Sequence, residues 1–498
     1  MSGGLDADVV VIGAGVVGAA CALRLADAGR DVLLLDAQQP GQGASFGNAG
    51  HIATEQVFPL ASPEVVRSAW RYLAHADSPL KLRAAYLLPI LPWLARFVWA
   101  ARPAGFARGV AALMALQQTA GADTVDLFAH AGLGHLLHMD GHFCVWETAA
   151  GQQQALAQAA RLRRLGVPSL AVPAGQVFAS APALGPAVGG AVYYPHTGHV
   201  DDPHAVCTGL VGALVRAGGR VRQARVLRLA QQRNGTVELA LEQGLQQEHE
   251  QRQEQGQRQE QGQGQQQDPG QRHMLRCRQL VLCAGAWSKP LAASLGYRVP
   301  LDTERGYHIT VPWSAVAAST APPAAASASA LASASASASA SASASASASA
   351  SASASASASA APPPPARIDL PVASTERNVI MTPMSMGLRM TGTVEFGGLH
   401  LPPDARRHDL LRRQMSALVP GTQVDQASTW MGFRPSLPDH LPVLCQAPRH
   451  RGVFFAFGHQ HLGLTLAAVT ARLVAEMVQG CAASIDLAPY HVGRFASW

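Results

Sequence analysis

The chain has 498 residues, of which 48% are hydrophobic and 14% charged, and its formal net charge is +6. That length accommodates two domains with their own cores, and two biased tracts dilute the charge. The arginines are scattered with no basic run among aromatics, which excludes nucleic acid as the expected partner, and seven cysteines without a Cys-x-x-Cys pair read as buried thiols rather than a disulfide frame.

No leader pattern precedes the first apolar run, so no signal peptide is expected. The run 9–12, "VVVI", is the kind of strand that is buried on both faces. Gly13, Gly15 and Gly18 then form G-x-G-x-x-G before a helix carrying Leu23 and Leu25 and ending at Gly29. The first glycine permits a tight turn and the second a close approach by a pyrophosphate. The third lets helix and strand pack closely, and the helix N-terminus favours an anion. Asp36 closes the next strand, 21 residues after Gly15, where an acceptor for a ribose hydroxyl belongs. It disfavours a 2′-phosphate and leaves FAD or NAD. A loop with Gly41, Gly43, Ser45, Gly47, Asn48 and Gly50 follows in place of another βα unit, which favours FAD. His51 ends that loop, where a structural hydrogen bond is favoured over catalysis.

The apolar stretch 84–101 is interrupted by Pro89, Pro92 and Arg96. It reads as a kinked helix packed on the protein, ahead of an interfacial membrane helix. A second α/β region starts at "HVDDPHAV" with a Pro-initiated helix ending at Gly218 and Gly219. A hairpin turning at Asn234 and Gly235 comes next, then a buried strand leading into "CAGAWS". The C-terminal stretch "GVFFAFGHQHLGLTLAAV" is strand, turn and helix again. The Gln-rich tract 243–272 and the Ser-Ala tract 327–360 lack the large apolar side chains of a core and read as disordered extensions of hairpin loops. No zinc-ligand spacing is found among the 19 histidines, so no metal site is expected.

Together "VVVIGAGVVGAACALRLADAGRDVLLLD", "GASFGNAGHI", "HTGHVDDPHAV", "LVLCAGAWS", "ERGYHITVP", "PMSMGLRMTGTVEF" and "GFRPSLPDHLPV" resemble the D-amino acid oxidase superfamily of flavoproteins. The resemblance is nearest to its bacterial D-amino acid dehydrogenase branch, of the small-subunit type, and spans nearly everything outside the two tracts. It implies an α/β fold: a Rossmann-like FAD-binding domain of the glutathione-reductase type with an interleaved, sheet-rich α+β substrate domain. The expected boundaries are 1–62, 196–299 and 435–498 for the first domain and 63–195 and 300–434 for the second, with a biased insert at 321–365.

Carried over position by position, the resemblance assigns Gly13, Gly15, Gly18 and Asp36 to adenosine and pyrophosphate. Ser45, Asn48 and Gly50 fall on the flavin side, Val226 at the adenine, and Ala284 with Gly285 at a second dinucleotide turn. Gly458, His461, Leu462 and Gly463 belong to the glycine-rich turn at the isoalloxazine. Arg434 matches the anchor for a substrate carboxylate, a role suited to a guanidinium fork. Arg305 is a weaker second anchor with Glu304 able to neutralise it, and Tyr307 and His308 are candidate pocket residues. The implied reaction removes hydride from the α-carbon of a D-amino acid to flavin N5, and water converts the imino acid to a 2-oxo acid and ammonia. Non-covalent FAD, a quinone or similar electron acceptor, and a cytoplasmic place with peripheral contact at the inner membrane are the accompanying expectations. Glycine, sarcosine, D-proline or D-hydroxyproline as substrate remain open, as does a non-catalytic flavin-bearing partner-binding protein.

Overall fold

The computed structural model describes residues 5–74, 78, 80–242, 273–316 and 368–495. The Gln-rich tract and the Ser-Ala tract, and with them the expectation of disorder, lie outside the described residues.

The first sheet has eight strands. Ala7–Ile12 lies between Val32–Asp36 and His273–Leu282, parallel to both. Arg220–Gln223 adds to the outer side of Val32–Asp36, also parallel. The long strand His273–Leu282 serves two partners along one edge. Its first half pairs antiparallel with Val237–Leu241, and its last turn pairs parallel with Val453–Phe457. Alternation explains the unbroken apolar runs. Val9, Val11 and Leu34 pack with the helices on one face, whereas Val10, Ile12 and Leu35 join a separate cluster on the other. Helix Val16–Asp27 buries Ala19, Leu23 and Leu25 in the first of these, and helix Ala467–Gln479 packs against it there.

A nine-stranded, largely antiparallel sheet is built from Leu80–Leu82, His142–Trp146, Leu170–Pro173, Gly190–Tyr194 and the later strands from Asp302–Val311 to Ser428–Ser436. Three short strands, Leu137–His138, His51–Ile52 and Gly198–Val200, form a third sheet centred on the last of them.

The expected hairpin is present: Val226–Gln231 and Val237–Leu241 are antiparallel, and Asn234 Oδ1 accepts from Thr236 N at 2.9 Å. Asp202 caps helix Pro203–Arg216 with bonds from the His204 and Ala205 N–H groups. The kinked apolar helix is Leu87–Ala100 with Pro92 inside it. Helix Pro103–Ala131, 29 residues long, has no counterpart in the sequence reading because its apolar positions are diluted by small residues. Six of the cysteines are buried and Cys481 is exposed.

One expectation about the tracts needs correction. Residues 243–272 do join adjacent strands, with Leu241 opposite His273. The second tract does not extend a hairpin. It lies between Asp302–Val311 and Val372–Ser374, which are separated by two other strands in the sheet order. Replacing 244–271 by a tight turn shortens the loop by roughly three halvings, each worth about 0.6 kcal/mol of closure entropy. Chemical denaturation should find that variant as stable as the parent or up to about 2 kcal/mol more so; a lower midpoint would show that the tract contributes contacts.

Candidate flavin and substrate site

The parallel strands open at one edge. Ile12, Asp36, Leu282 and Phe457 end there, and the residues after them line a cavity of about 460 Å³. Ligands of open α/β sheets bind at such carboxyl ends.

The first wall is the glycine turn. Gly13 has φ +106°, and a Cβ on it would lie 2.4 Å from the Cys283 carbonyl oxygen. Gly15, Val16 and Val17 line the cavity at the start of helix Val16–Asp27, where no side chain caps Gly15. Free N–H groups and the helix dipole make this end receptive to phosphate. Ser45 Oγ accepts from Val16 N at 3.0 Å. Asp36 Oδ2 accepts from Ala14 N at 2.6 Å and Oδ1 from Gln38 N at 2.9 Å. Burial raises the Asp36 pKa above the ordinary carboxylate value, against the pull of those two bonds.

The loop after Asp36 is clamped from the other sheet. His308 lies 2.9 Å from the Gly47 carbonyl through Nδ1, and Arg389 donates to the Asn48 carbonyl at 2.9 Å. Asn48 spends its side chain locally, donating to the Ser45 carbonyl and accepting from Gly50 N. A Cβ on Gly47 would fall 2.2 Å from the Trp430 ring, so glycine is required for this approach.

The opposite wall is a strand pair. Glu304, Gly306 and His308 face Arg434, Gly432 and Trp430 in register. Gly306, Gly432, Trp430 and Arg434 line the cavity, and a Cβ on Gly306 would lie 2.5 Å from Arg434 Cζ. Gly306 therefore makes room for the guanidinium, and Gly432, where a Cβ would lie 1.9 Å from the Trp430 ring, makes room for that indole. Arg434 is half-buried, and its one hydrogen bond among the described residues is a long one, 3.5 Å to the Thr393 carbonyl. Its surroundings lower its pKa by desolvation, while Glu304 across the strands opposes that shift. An ion pair with Asp439 is excluded because Asp439 binds Arg494 at 2.7 Å.

At the ring end of the cavity, Gly458 has φ +86° and Gln460 φ +54°. Gln460 N donates to the Pro435 carbonyl at 3.1 Å, which ties this turn to the strand bearing Arg434. His459 Nε2 is 3.0 Å from Thr470 Oγ1, and His461 Nε2 is 2.7 Å from Gln56 Oε1. Burial holds the His459 imidazole down at about 4, whereas His461 is exposed to the cavity.

Of the residues chosen from sequence, Gly13, Gly15, Asp36, Ser45, Asn48, Val226, Ala284, Gly285, Gly458, His461, Gly463 and Arg434 line this one cavity. Gly18, Gly50 and Leu462 sit behind its wall. Three choices need correction. Arg305 is fully buried on the other face of its strand, bound to Glu395 at 3.1 Å and to the carbonyls of Gly398, Leu401 and Pro402. Its partner is thus Glu395 and not Glu304, which accepts from Ser436 Oγ. Tyr307 shares that face and accepts from Asp404 N at 3.1 Å. His51 binds the Gly198 carbonyl at 2.9 Å and does not line the cavity. Sequence reading missed Gly306, Trp430, Gly432, Phe433, Gln460 and Trp287, although the alternation Trp430-x-Gly432-x-Arg434 was visible in the strand.

Comparison with known proteins agrees with this geometry. A model of the family described as FAD dependent oxidoreductase (DAO) matches residues 8–335 and 338–477. The chain belongs to this family. A D-amino-acid oxidase of Bradyrhizobium diazoefficiens is 28% identical, with 98% of each chain covered. A D-amino acid dehydrogenase of Paramagnetospirillum magneticum is 25% identical over 98% of this chain and 99% of that one. Among solved structures, glycine oxidase from Geobacillus kaustophilus superposes with a TM-score of 0.63 at 19% identity, covering 98% of both chains. L-proline dehydrogenase from P. horikoshii gives 0.62 at 13% identity, covering 99% of this chain and 98% of that one.

The residues present fit FAD, as a family member requires: a glycine cradle at a helix N-terminus, a carboxylate at the second strand, and a turn at the far end. The glycines separate two kinds of wall. A Cβ on Gly18 would strike the Gly13 carbonyl oxygen at 1.8 Å, a backbone atom that cannot move aside. Gly18→Ala should therefore lower flavin content after gel filtration to below about a tenth of the parent. Gly306→Ala meets only a side-chain end and should retain full flavin; equal retention by both variants would refute the assignment of the cradle.

Proposed function

We propose that this FAD-dependent oxidoreductase is a D-amino acid dehydrogenase that converts D-amino acids to 2-oxo acids and ammonia and passes the electrons to a quinone. The single observation that carries the reading is Arg434, a half-buried guanidinium on the cavity wall with no ion pair among the described residues. Such a group is satisfied by an incoming carboxylate, which accepts from its fork in a bidentate manner. Trp430, Phe433 and Trp287 add apolar surface beside it, which suits a substrate side chain larger than that of glycine. The likeness to D-amino-acid oxidase and dehydrogenase sequences supports the same substrate class.

Bound FAD, held non-covalently, supplies the two-electron acceptor for the substrate Cα–H bond. The chain's own contribution is positioning: Arg434 fixes the carboxylate, and the bare backbone at Gly306 leaves the guanidinium its place. Burial lowers the His459 pKa to about 4, so that ring adds no charge that repels an amine at neutral pH. The amine must reach the site without its extra proton, since its lone pair assists loss of the α-hydrogen.

The exposed side of helix Leu87–Ala100 supports a membrane-borne acceptor. Leu87, Leu88, Leu91, Val98 and Trp99 are exposed on it, beside Arg102. No single helix among the described residues is long and apolar enough to cross a membrane.

An anaerobic panel of D-amino acids should bleach the flavin, and L-enantiomers should not. Arg434→Met should lower kcat/KM by about 100- to 1,000-fold, roughly 3–4 kcal/mol for a charge pair truncated on one side, with flavin content intact. Arg434→Lys, which keeps the charge without the fork, should recover only part of it. A variant with unchanged kcat/KM would remove Arg434 from the substrate site. The pH profile gives a separate check. Because burial pushes the His459 pKa down to about 4, kcat/KM should rise about tenfold per pH unit until the substrate amine loses its proton, and the limb should move with the amine's own pKa. A limb fixed across substrates would place the controlling group on the protein.

A further inference from the structure

Behind the cofactor loop lies a closed group that the flavin chemistry does not use. His51 starts the short strand His51–Ile52, Glu55 is in the turn that follows, and His142 opens strand His142–Trp146 of the nine-stranded sheet. Their exposures are 8%, 9% and 3%, and none of them lines the cavity. One donor atom of each lies within 4.8 Å of those of the other two.

Hydrogen bonds on the outer side of each ring set the tautomers. His51 Nδ1 is 2.9 Å from the Gly198 carbonyl, which can only accept, so this nitrogen carries the proton. His142 Nδ1 is 2.9 Å from Thr197 Oγ1. The Thr197 hydroxyl spends its single proton on the Tyr194 carbonyl at 2.9 Å, so it must accept from His142. Nε2 is thereby the nitrogen that each ring turns inward, free to offer its lone pair to a bound cation. Inside the group, His51 Nε2 makes no hydrogen bond and stands 3.5 Å from Glu55 Oε1, while Glu55 Oε2 has no partner. Buried polar atoms left without hydrogen-bond partners, as His51 Nε2 and Glu55 Oε2 are, are costly. Imidazoles anchored through the other nitrogen to a carbonyl and a hydroxyl are the usual outer support of a metal site.

We propose that His51, Glu55 and His142 bind one divalent transition-metal ion, zinc foremost, as a structural pin between the cofactor loop and the nine-stranded sheet. Two imidazoles with one carboxylate select against calcium and magnesium, which take oxygen ligands. The 3.5 Å between His51 Nε2 and Glu55 Oε1 is close to the ~3.3 Å separating two ligands of a tetrahedral zinc with bonds of ~2.0 Å. Three protein donors leave a fourth position for water. Sequence spacing could not reveal the group, because the ligands come from separate segments and His51 and Glu55 are not on a helix. The proposal does not depend on which amine the enzyme oxidises.

The test uses the flavin-loaded protein, stripped with EDTA and dialysed to equilibrium against Zn²⁺, with zinc per flavin read by mass spectrometry. The expected result is one tight zinc per flavin in the parent. Glu55→Gln and His142→Asn should each weaken its binding at least tenfold. His138→Asn, which disables the half-exposed neighbouring group of His138, His199 and Asp201, should leave it unchanged. Should the ligand variants fail to fold, Thr197→Val retains every ligand and removes only the support of His142, and a roughly tenfold loss is expected there too. Two results would overturn the proposal: no zinc uptake by the parent, as when an imidazolium on His51 already neutralises Glu55, or equal uptake by parent and Glu55→Gln.

Discussion

The cofactor end of this protein depends on a contact with no spare room. A Cβ on Gly18 would lie 1.8 Å from the Gly13 oxygen, and one on Gly13 would lie 2.4 Å from the Cys283 oxygen. Helix Val16–Asp27, the turn that feeds it and the neighbouring strand are therefore in backbone contact. That contact fixes where the helix N-terminus points, and the remaining features are arranged around it. Asp36 closes the turn by accepting from Ala14 N, and Ser45 occupies the N–H of Val16. The positive end of the helix dipole is left facing the open edge of the sheet, where an anionic cofactor is held by backbone more than by charged side chains.

The opposite wall works by alternation. Along Asp302–Val311, Glu304, Gly306 and His308 share one face, and Arg305 and Tyr307 share the other. The two arginines of this strand pair show how far environment outranks residue type. Arg305 is saturated by Glu395 and three backbone carbonyls, so its charge is consumed in holding the chain together. Arg434 has a single long bond among the described residues and a space that Gly306 keeps open. A buried cation of the first kind is structural, because loss of either partner strands a charge. One of the second kind is available to a ligand.

These differences explain what the sequence made legible. The dinucleotide turn was readable because its glycines, flanking strand and Asp36 are all local and each has one physical purpose. The placement of Arg434, Gly458 and Gly463 at the same cavity came through resemblance, since the segments lie hundreds of positions apart. Arg305 and Tyr307 were misjudged for want of the strand register, since a shift of one residue exchanges the two faces. For His51 the structural hydrogen bond favoured over catalysis is the one present: the chain turns at Gly50, with φ +66°, and the imidazole bonds the Gly198 carbonyl away from the cavity. Helix Pro103–Ala131 was invisible because its buried positions are mostly small, as at Ala112 and Ala120, which mutes the periodic signal.

The loop from Gly43 to Gln56 is where the parts of the protein meet. His308 and Arg389 of the nine-stranded sheet hold its carbonyls at Gly47 and Asn48. Thr465 accepts from Ala53 N at 2.9 Å, and Gln56 pairs with His461, both partners lying beyond strand Val453–Phe457 of the other sheet. Gln460 in turn is bonded to the carbonyl of Pro435, the residue after Arg434. A displacement of the loop thus pulls on the turn at Gly458–Gly463 and on the strand bearing Arg434 through bonds at both ends. The arginine and the cofactor cradle belong to different sheets, yet their spacing is set by this one segment. Its glycines follow from that duty: at Gly47 an added methyl carbon would lie 2.2 Å from the Trp430 ring, so the chain passes there only without a side chain.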